Sequence, residues 1–263
     1  MSAEMPRLVA VELRAELSTG ATRPCVMACL NDAGDPCGDY VVKLRAGVRG
    51  GPTGLAFEYL AARLAERLSI SMPPAALVEV DEDLAAAMPD AELAKRLRAS
   101  AGLNFGTRFL APGYVTWPVG EPVPVALRQA ALEIMAFDAL IDNPDRRRKK
   151  PNLLWRGEEL LVIDHELAFA FTRLIGNPAE PFSDTTLDFL KDHPLWAGLR
   201  GVPVDLGRFV GELESLRGGE VDAICRGVPA EFGSEYQHRI RDWLKRSAKR
   251  TKELGLEIGR ILR

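Results

Sequence analysis

The chain has 263 residues, of which 47% are apolar and 27% charged, and its formal net charge is −3. This length and composition allow one or two ordinary hydrophobic cores, so we expect one domain of two lobes or two small domains. The slight negative charge gives no general attraction to nucleic acid or to an anionic membrane surface.

Sequence signals for export are missing as well. No apolar run approaches the ~20 residues that a membrane-spanning helix needs, and residues 1 to 9 lack the charged-then-apolar layout of a signal peptide. We therefore expect a cytoplasmic protein with no membrane partner. In that compartment the four cysteines are expected to stay free, because no disulfide framework is implied.

The first part of the chain predicts mostly strands. Three segments alternate or run apolar as strands do, and together they predict a small antiparallel sheet: "RLVAVELRAEL", "RPCVMACL" and "YVVKL". The segment "LAFEYLAARLAERL" has apolar residues at helical spacing and predicts a helix. Beyond it, "AALVEV" and "NFGTRFL" predict strands on either side of a short helix in "DAELAKRLRAS". The Pro- and Gly-rich "APGYVTWPVGEPVP" then predicts the boundary between two lobes.

The second part of the chain predicts helices around one short hairpin. The segment "VALRQAALEIMAFDALI" is apolar at helical spacing, and it must end near Asn143 because the residue before Pro144 is driven away from helical backbone angles. Asp145 therefore opens a loop. The segments "NLLW" and "LLVID" predict two short strands, with Asp164 where the second strand ends. Most of the remaining chain has helical spacing.

This order of elements resembles the protein-kinase-like fold. The residues "YVVKL", "GLAFEYLAARLAERL", "NPDRRRKKPNLLW" and "LLVIDHELAF" look most like the bacterial HipA-like kinases in their short form. The resemblance implies an α+β, two-lobed fold. Residues 1–115 would form a β-rich N-lobe that includes the helix bearing Glu58. Residues 116–263 would form an α-helical C-lobe with the catalytic loop and a metal-binding hairpin.

The resemblance also implies roles for individual residues. Lys43 would contact the α and β phosphates of ATP, and Glu58 would hold Lys43 in place. Asp145 would orient the attacking hydroxyl or accept its proton. Asn152 and Asp164 would bind Mg²⁺, which prefers oxygen ligands. Taken alone, each Asp is an ordinary turn former and each charged residue an ordinary surface group, so the assignment depends on their order in the chain.

Two parts of the pattern leave alternatives open. The phosphates could be covered by Ser18, Thr19 and Gly20, between the first two strands, or by the glycine-rich residues 49–54 before the helix. We favour the first segment because the resemblance places the cover there. Six residues separate Asp145 from Asn152, where protein kinases commonly have four, so either the loop is longer or Asn152 lies out of reach of the metal.

Other features of the pattern are less specific. His165 and Glu166 replace the Phe-Gly pair that usually follows the metal-binding Asp, so no switch built on that Phe is implied. Asp142 is interpreted as a helix-end residue. The basic residues 146–150 are interpreted either as a solvated loop or as a site for phosphate or an acidic substrate segment.

The leading functional hypothesis is an ATP- and Mg²⁺-dependent kinase that transfers the γ-phosphate to a hydroxyl, with protein Ser or Thr indicated by the resemblance. The alternative is a non-catalytic nucleotide-binding module. A protein substrate is then the expected partner, and an antitoxin-like partner follows only by analogy with better-known HipA relatives. A third hypothesis, nucleic-acid binding by the basic helix near residues 239–252, is less favoured than packing of that helix through Ile240, Trp243 and Leu244.

Overall fold

The computed structural model describes residues 4–17, 22–118, 120–176, 179–183 and 186–263. The chain divides into two compact units. The first consists of Met1–Tyr59, Pro73–Pro112 and Pro229–Gly233, and the second of Leu60–Met72, Gly113–Val228 and Ser234–Arg263. The predicted lobe boundary between residues 115 and 116 stays a prediction.

Five strands form a closed barrel in the first unit. They are β1 (Arg7–Glu16), β2 (Cys25–Leu30), β3 (Pro36–Lys43), β4 (Ala75–Val80) and β5 (Gly102–Arg108), in the order β1-β2-β3-β5-β4. The pairs β1–β2 and β2–β3 are antiparallel, as predicted for the small sheet. The pairs β3–β5 and β4–β5, for which no pairing was predicted, are antiparallel as well. The pair β1–β4 is parallel and closes the barrel, so the arrangement is not a simple open antiparallel sheet.

Local sequence explains why the strands can curve into a barrel. The β1–β2 register shifts twice along β1, and such irregularities bend and twist a strand. Gly106 on β5 permits close approach, because a Cβ at that position would lie 2.8 Å from the Val78 side chain on β4. The interior is apolar and includes Met27, Val42 and Val78. The barrel is therefore packed with side chains.

Helices flank the strands of the barrel in the sequence. Helix α1 (Pro52–Arg67) begins within the first unit and ends within the second. Two shorter helices, α2 (Glu82–Ala86) and α3 (Ala91–Ala99), begin after Asp81 and Asp90, whose side chains accept backbone N–H groups of the first turn. Such caps satisfy donors that have no partner inside a helix.

The second unit is built around helix α4 (Arg128–Leu140), whose residues 131–140 are all buried. The helix ends at Leu140, as the Asn143–Pro144 step predicted. Strands β6 (Val115–Thr116), β7 (Leu153–Arg156) and β8 (Glu159–Val162) form a three-stranded sheet in that order. The β7–β8 hairpin is the one that the sequence predicted.

The remaining helices belong to the C-terminal part of the second unit. They are α5 (Trp196–Leu199), α6 (Gly207–Ser215), α7 (Gly218–Arg226), α8 (Gln237–Ser247) and α9 (Thr251–Leu262). The helical stretch at the end of the chain is divided into α8 and α9 between Ser247 and Thr251. No helix in the described ranges combines the length and apolar character needed to cross a bilayer.

The basic helix α8 packs through its apolar face. Ile240, Trp243 and Leu244 are buried, which confirms the packing interpretation. The Trp243 indole donates to the carbonyl of Leu140, 2.7 Å away, and so satisfies an acceptor left over at the end of α4. On the polar face, Lys245 lies 2.8 Å from Asp222.

Candidate active site

Lys43 and Glu58 form an ion pair within the first unit. Lys43 is the last residue of β3, opposite Phe105 on β5, and Glu58 lies on the N-terminal half of α1. The exposed fractions of the two side chains are 13% and 2%. A carboxylate as buried as that of Glu58 is costly unless a charged or hydrogen-bonding partner compensates it. The structure therefore brings the two residues together as the sequence predicted, while their roles toward ATP stay predictions.

The backbone that follows Lys43 is fixed by two polar side chains that sequence reasoning did not single out. The Asn104 side-chain oxygen accepts the N–H of Arg45 at 2.8 Å, and the Ser100 hydroxyl accepts the N–H of Ala46 at 3.0 Å. Asn104 also donates to the Ser100 carbonyl at 2.8 Å. Because Asn104 and Ser100 are fully buried, these bonds anchor the turn between β3 and α1.

The two candidates for the phosphate cover fare differently. Ser18, Thr19 and Gly20 lie outside the described residues. The competing segment ends at the start of α1, where Gly50 and Gly51 have φ angles of 79° and 64°, in the left-handed region that glycine adopts at little cost. This is a tight turn into a helix, and the choice between the two segments stays a prediction.

Asn152 and Asp164 lie at the open end of the β7–β8 hairpin in the second unit. Leu153 pairs with Val162, and the N–H of Ile163 donates to the Asn152 carbonyl at 3.1 Å. Both candidate metal ligands have left-handed backbone angles, with φ of 49° at Asn152 and 60° at Asp164. Asn and Asp tolerate this region better than other non-glycine residues. The hairpin thus brings the two residues close together, although they are twelve positions apart in the sequence.

Asp145 reaches the same place through Lys150. The Lys150 ammonium lies 2.7 Å from Asp145 Oδ2 and 2.8 Å from Asp164 Oδ2, so it bridges the two carboxylates. Burial disfavours its charged form, but the charge of Asp164 and the hydrogen bonds to both carboxylates outweigh burial and raise the pKa of Lys150. We call Asp145 and Asp164 the carboxylate pair. Sequence analysis predicted that both belong to one site but did not predict the lysine between them.

The long interval between Asp145 and Asn152 is taken up by a tight turn. Arg147 and Lys150 exchange two backbone hydrogen bonds, of 3.1 and 2.8 Å, so the loop folds back on itself. Arg148, at the tip of the turn, donates to the Asp192 carboxylate at 2.7 Å. The loop therefore folds back and returns Asn152 to the hairpin, whereas the reach of Asn152 to a metal ion stays a prediction.

Arg146 differs from the rest of the basic run because its side chain is completely buried. Its guanidinium donates to Asp138 at 2.6 Å, to the carbonyls of Asn152 and Ile163, and to Nε2 of His165 at 2.9 Å. It therefore holds the backbone at both sides of the hairpin end. Neither a solvated loop nor a phosphate contact describes this residue.

Asp138 is the buried counter-ion of Arg146. Its second oxygen accepts from the Asn143 amide at 2.9 Å, and His193 Nε2 lies 3.0 Å from Oδ2. Burial would raise the pKa of Asp138, but the Arg146 charge and the His193 hydrogen bond lower it to about 2. We call this cluster the buried frame, and its members are Asp138, Asn143, Arg146, His165 and His193.

The protonation state of His193 follows from its two contacts. Its Nδ1 accepts the N–H of Leu195 at 3.2 Å, so Nε2 must carry the proton that faces Asp138. Both ring nitrogens are thus used by the neutral imidazole. Burial accordingly lowers the pKa of His193, although the Asp138 carboxylate opposes this effect.

Asp142 lies at the end of α4, as predicted, with a left-handed φ of 45°. Its carboxylate accepts the N–H of Phe171 at 2.7 Å, and its carbonyl accepts the N–H of Ala170 at 3.1 Å. Burial raises the pKa of Asp142. The residue therefore ties the segment after Asp164 to the end of the helix and is not a third member of the carboxylate pair.

The residue types at the hairpin end fit a magnesium site. Within the described ranges, no cluster of three or more His, Cys, Asp or Glu side chains could hold a metal ion. Mg²⁺ beside a nucleotide needs no such cluster, because one or two carboxylates suffice alongside phosphate oxygens and water. The ion pairs with Lys150 show that the two carboxylates face the same cationic group. In the described part of the chain, the side-chain nitrogen of Asn152 is buried without a hydrogen-bond partner.

Besides Asn104 and Ser100, sequence reasoning missed the contacts of Asp138, Arg146, Lys150 and His193, and only Asp138 left a usable signal. Asp138 interrupts the apolar helix "IMAFDALI", and a carboxylate in a buried helix requires a partner. Its partners Arg146 and His193 are not marked as such, since a basic run and an isolated histidine have many interpretations. The inward turn of Lys150 is equally invisible in the sequence.

Comparisons with known proteins identify the family and the fold of the chain. A family model described as HipA-like kinase matches residues 10–176. The crystal structure of a Helicobacter pylori proinflammatory kinase, CtkA, is similar to this chain with a TM-score of 0.53 at 11% identity, over 97% of this chain and 98% of that one. At that identity the likeness shows a kinase-like fold alone. In a comparison with curated proteins, none matched. Because the family model covers more than half of the chain, and as the sequence motifs indicated, the chain belongs to the HipA-like kinase family.

Proposed function

We propose that this chain is an ATP- and Mg²⁺-dependent kinase that transfers the γ-phosphate to the hydroxyl of a protein Ser or Thr. Membership of the HipA-like kinase family supports phosphoryl transfer in general, and ATP with a divalent metal is what such a family implies. The observation that carries the proposal is the meeting of Asp145 and Asp164 on one cation at the end of a hairpin. Phosphoryl transfer needs a site of this kind, because catalysis is mostly positioning and charge stabilisation.

Lys43 supplies the cation on the phosphate side. Its ammonium is held by the buried Glu58 carboxylate, and the turn after it is anchored by Asn104 and Ser100. A lysine positioned in this way binds phosphate oxygens as a point charge. We assign it to the α and β phosphates.

Asp164 and Asn152 supply the oxygen ligands on the metal side. A bound Mg²⁺ would neutralise charge on the phosphates and orient them. The buried frame fixes both ligands indirectly, since Arg146 donates to the carbonyls of Asn152 and Ile163. Their backbone positions are therefore set before any ligand arrives.

Asp145 is assigned to the attacking hydroxyl. Its side chain is 9% exposed, and its carboxylate belongs to the loop that the buried frame holds. When it accepts a hydrogen bond from the substrate hydroxyl, it directs the oxygen lone pair toward the γ-phosphate and takes up the proton as the bond forms. For this role Lys150 has to release Asp145.

One observation favours a second candidate, a nucleotide-binding module without catalysis. Lys150 already engages both carboxylates, and a permanent bridge of this kind would leave neither available for chemistry. In that case the protein would bind ATP with Mg²⁺ but would transfer no phosphate.

Incubation of the purified protein with γ-labelled ATP, Mg²⁺ and a mixture of bacterial proteins separates the two candidates. The kinase proposal predicts label on Ser or Thr, in this protein or in the mixture, identified by hydrolysis and phosphoamino-acid separation. A rise in melting temperature with ATP and Mg²⁺, without any label transfer, selects the binding module. Label on a small molecule alone would contradict the protein-substrate part of the proposal.

A further inference from the structure

Lys150 differs from an ordinary surface lysine because it contacts two carboxylates of the candidate site. Its ammonium lies 2.7 Å from Asp145 and 2.8 Å from Asp164, which are the candidate proton acceptor and a candidate metal ligand. The side chain of Lys150 is 32% exposed, whereas the carboxylates are 9% and 19% exposed. The Lys150 side chain is therefore more exposed than either of the two carboxylates that it contacts.

The loop delivers this lysine by its own geometry. The turn closed by Arg147 and Lys150 sends the side chain at position 150 back toward Asp145. The tip of the turn is held by Arg148, whose N–H and guanidinium both donate to Asp192, at 2.8 and 2.7 Å. Lys149, the neighbouring residue of the same charge, is exposed. Position 150 is therefore distinguished from the rest of the basic run by where the turn points it.

An ammonium and a divalent metal use the same carboxylate oxygens. Two carboxylates that face each other repel, and the positive charge of Lys150 between them reduces this repulsion in the nucleotide-free protein. Lysine suits this purpose because its compact charge sits on a flexible stem that can withdraw into solvent. Withdrawal is feasible here because the Lys150 side chain is 32% exposed.

We propose that Lys150 is a built-in counter-cation, which holds the carboxylate pair in the nucleotide-free protein and must leave it before the pair can bind a divalent ion. The proposal rests on the proposed function, since it assigns Asp164 to the metal. It implies that metal alone binds weakly, because each binding event has to break two ion pairs. A nucleotide offers Lys150 phosphate oxygens as new partners, so metal and nucleotide should favour each other's binding.

The test measures Mn²⁺ binding by calorimetry, with and without a non-hydrolysable ATP analogue, in the full-length protein. Lys150→Met should tighten the binding of Mn²⁺ alone by about tenfold or more, given the size of charge interactions at this range. Lys149→Met is the matched control, because it removes the same charge from the same loop without touching either carboxylate, and its Kd for Mn²⁺ should stay within about twofold of wild type. Lys150→Arg keeps the charge and should keep metal binding weak.

The ATP analogue provides the second reading. In the wild-type protein it should tighten Mn²⁺ binding strongly, and in Lys150→Met this coupling should shrink because the lysine no longer has to be displaced. Lys150→Gln replaces Lys150→Met if the apolar side chain lowers the melting temperature markedly, and the same shifts are expected of it.

The outcomes separate the inference from the function on which it rests. Equal Kd values for Mn²⁺ in Lys150→Met and Lys149→Met, or weaker binding in Lys150→Met, would overturn the counter-cation while leaving the nucleotide site intact. Absence of any Mn²⁺ binding to wild-type protein, even with the analogue, would overturn the proposed function and the inference together.

Discussion

Two clusters in the second unit both pair carboxylates with a basic side chain, but they differ in burial and in the role that this burial suits. In the buried frame, Asp138 and Arg146 are completely enclosed, and the Asp138 oxygens are engaged by Arg146, Asn143 and His193. In the carboxylate pair, Asp145 and Asp164 share one partly exposed lysine. A buried ion pair whose carboxylate oxygens are all hydrogen-bonded is suited to stabilising the fold. Two carboxylates that share a partly exposed lysine are suited to exchanging that lysine for another cation.

The chain links the two clusters directly. Asp145 and Arg146 are neighbours in sequence, yet one side chain faces the carboxylate pair and the other faces the buried frame. Arg146 also binds the carbonyls of Asn152 and Ile163, which adjoin the candidate metal ligands. The comparison therefore predicts that changes in the frame affect stability first and that changes in the pair affect chemistry first.

The largest expected effect is a loss of stability when the buried frame loses the positive charge of Arg146. Arg146→Met should lower the free energy of unfolding by about 3–5 kcal/mol, because it leaves the Asp138 carboxylate buried without its counter-ion. Chemical denaturation followed by circular dichroism measures this loss. Arg147→Met, an exposed neighbour in the same loop, should change stability by less than about 0.5 kcal/mol. A loss below about 1 kcal/mol in Arg146→Met would contradict the structural role of the frame.

Asp145→Asn should lower kcat for phosphate transfer by about 10²–10⁴-fold, because an amide cannot accept the hydroxyl proton. The isosteric change should leave the fold intact. Steady-state transfer from labelled ATP, with melting temperatures recorded in parallel, tests both statements. Retention of kcat within about threefold would remove Asp145 from the reaction, in conflict with general-base catalysis.

Glu58→Gln should reduce transfer by roughly 10–100-fold, since the Lys43 ammonium loses the charge that orients it. Glu66→Gln, on the same helix but exposed, is the matched control and should retain wild-type activity. The change should raise KM for ATP, because Lys43 is assigned to the phosphates. A normal KM with normal kcat would show that the buried pair serves only the fold.

The smallest expected effect is a pH dependence of stability from His193. Burial places the pKa of His193 in the folded state below its ordinary value of 6.5. Between pH 7 and pH 5 the unfolded chain therefore binds a proton at this residue more readily than the folded chain does. Stability should therefore fall on acidification, by no more than about 2 kcal/mol over this window. Asp138 does not contribute there, because its folded pKa of about 2 and unfolded pKa of 3.8 lie lower.

Denaturation at pH 7, 6 and 5 measures this slope. His193→Gln should flatten it relative to wild type, whereas His238→Gln, at an exposed position, should leave it unchanged. If the free energy of unfolding of His193→Gln depends on pH as steeply as that of wild type, His193 is not the group responsible for the pH dependence.

Local signals predicted a good part of this molecule. The stop of α4 before Pro144, the hairpin that follows and the helix bearing Glu58 all depend on residues close together in the chain. The closure of the barrel was not predictable in this way. Pairing of β1 with β4 is long-range, and the alternation of side chains in a strand says which face is buried but not which strand lies beside it.

The candidate site likewise has features that the sequence predicted and features that depend on the tertiary structure. The order of residues along the chain predicted the candidate site of Lys43, Glu58, Asp145, Asn152 and Asp164. The burial of Arg146 and the bridge by Lys150 depend instead on how one loop turns, and five basic residues in a row look alike whichever way each one points. The His193–Asp138 contact spans 55 positions, a separation at which no local pattern operates.

Asp164→Asn is the most direct test of the claim that the carboxylate pair, and not the frame, carries the chemistry. Transfer of labelled γ-phosphate with Mg²⁺ should drop by about a thousandfold while the melting temperature stays close to that of wild type. Asp188→Asn, which changes an exposed carboxylate of the same unit, is the control and should retain activity. Full transfer by Asp164→Asn at saturating Mg²⁺ would contradict the account.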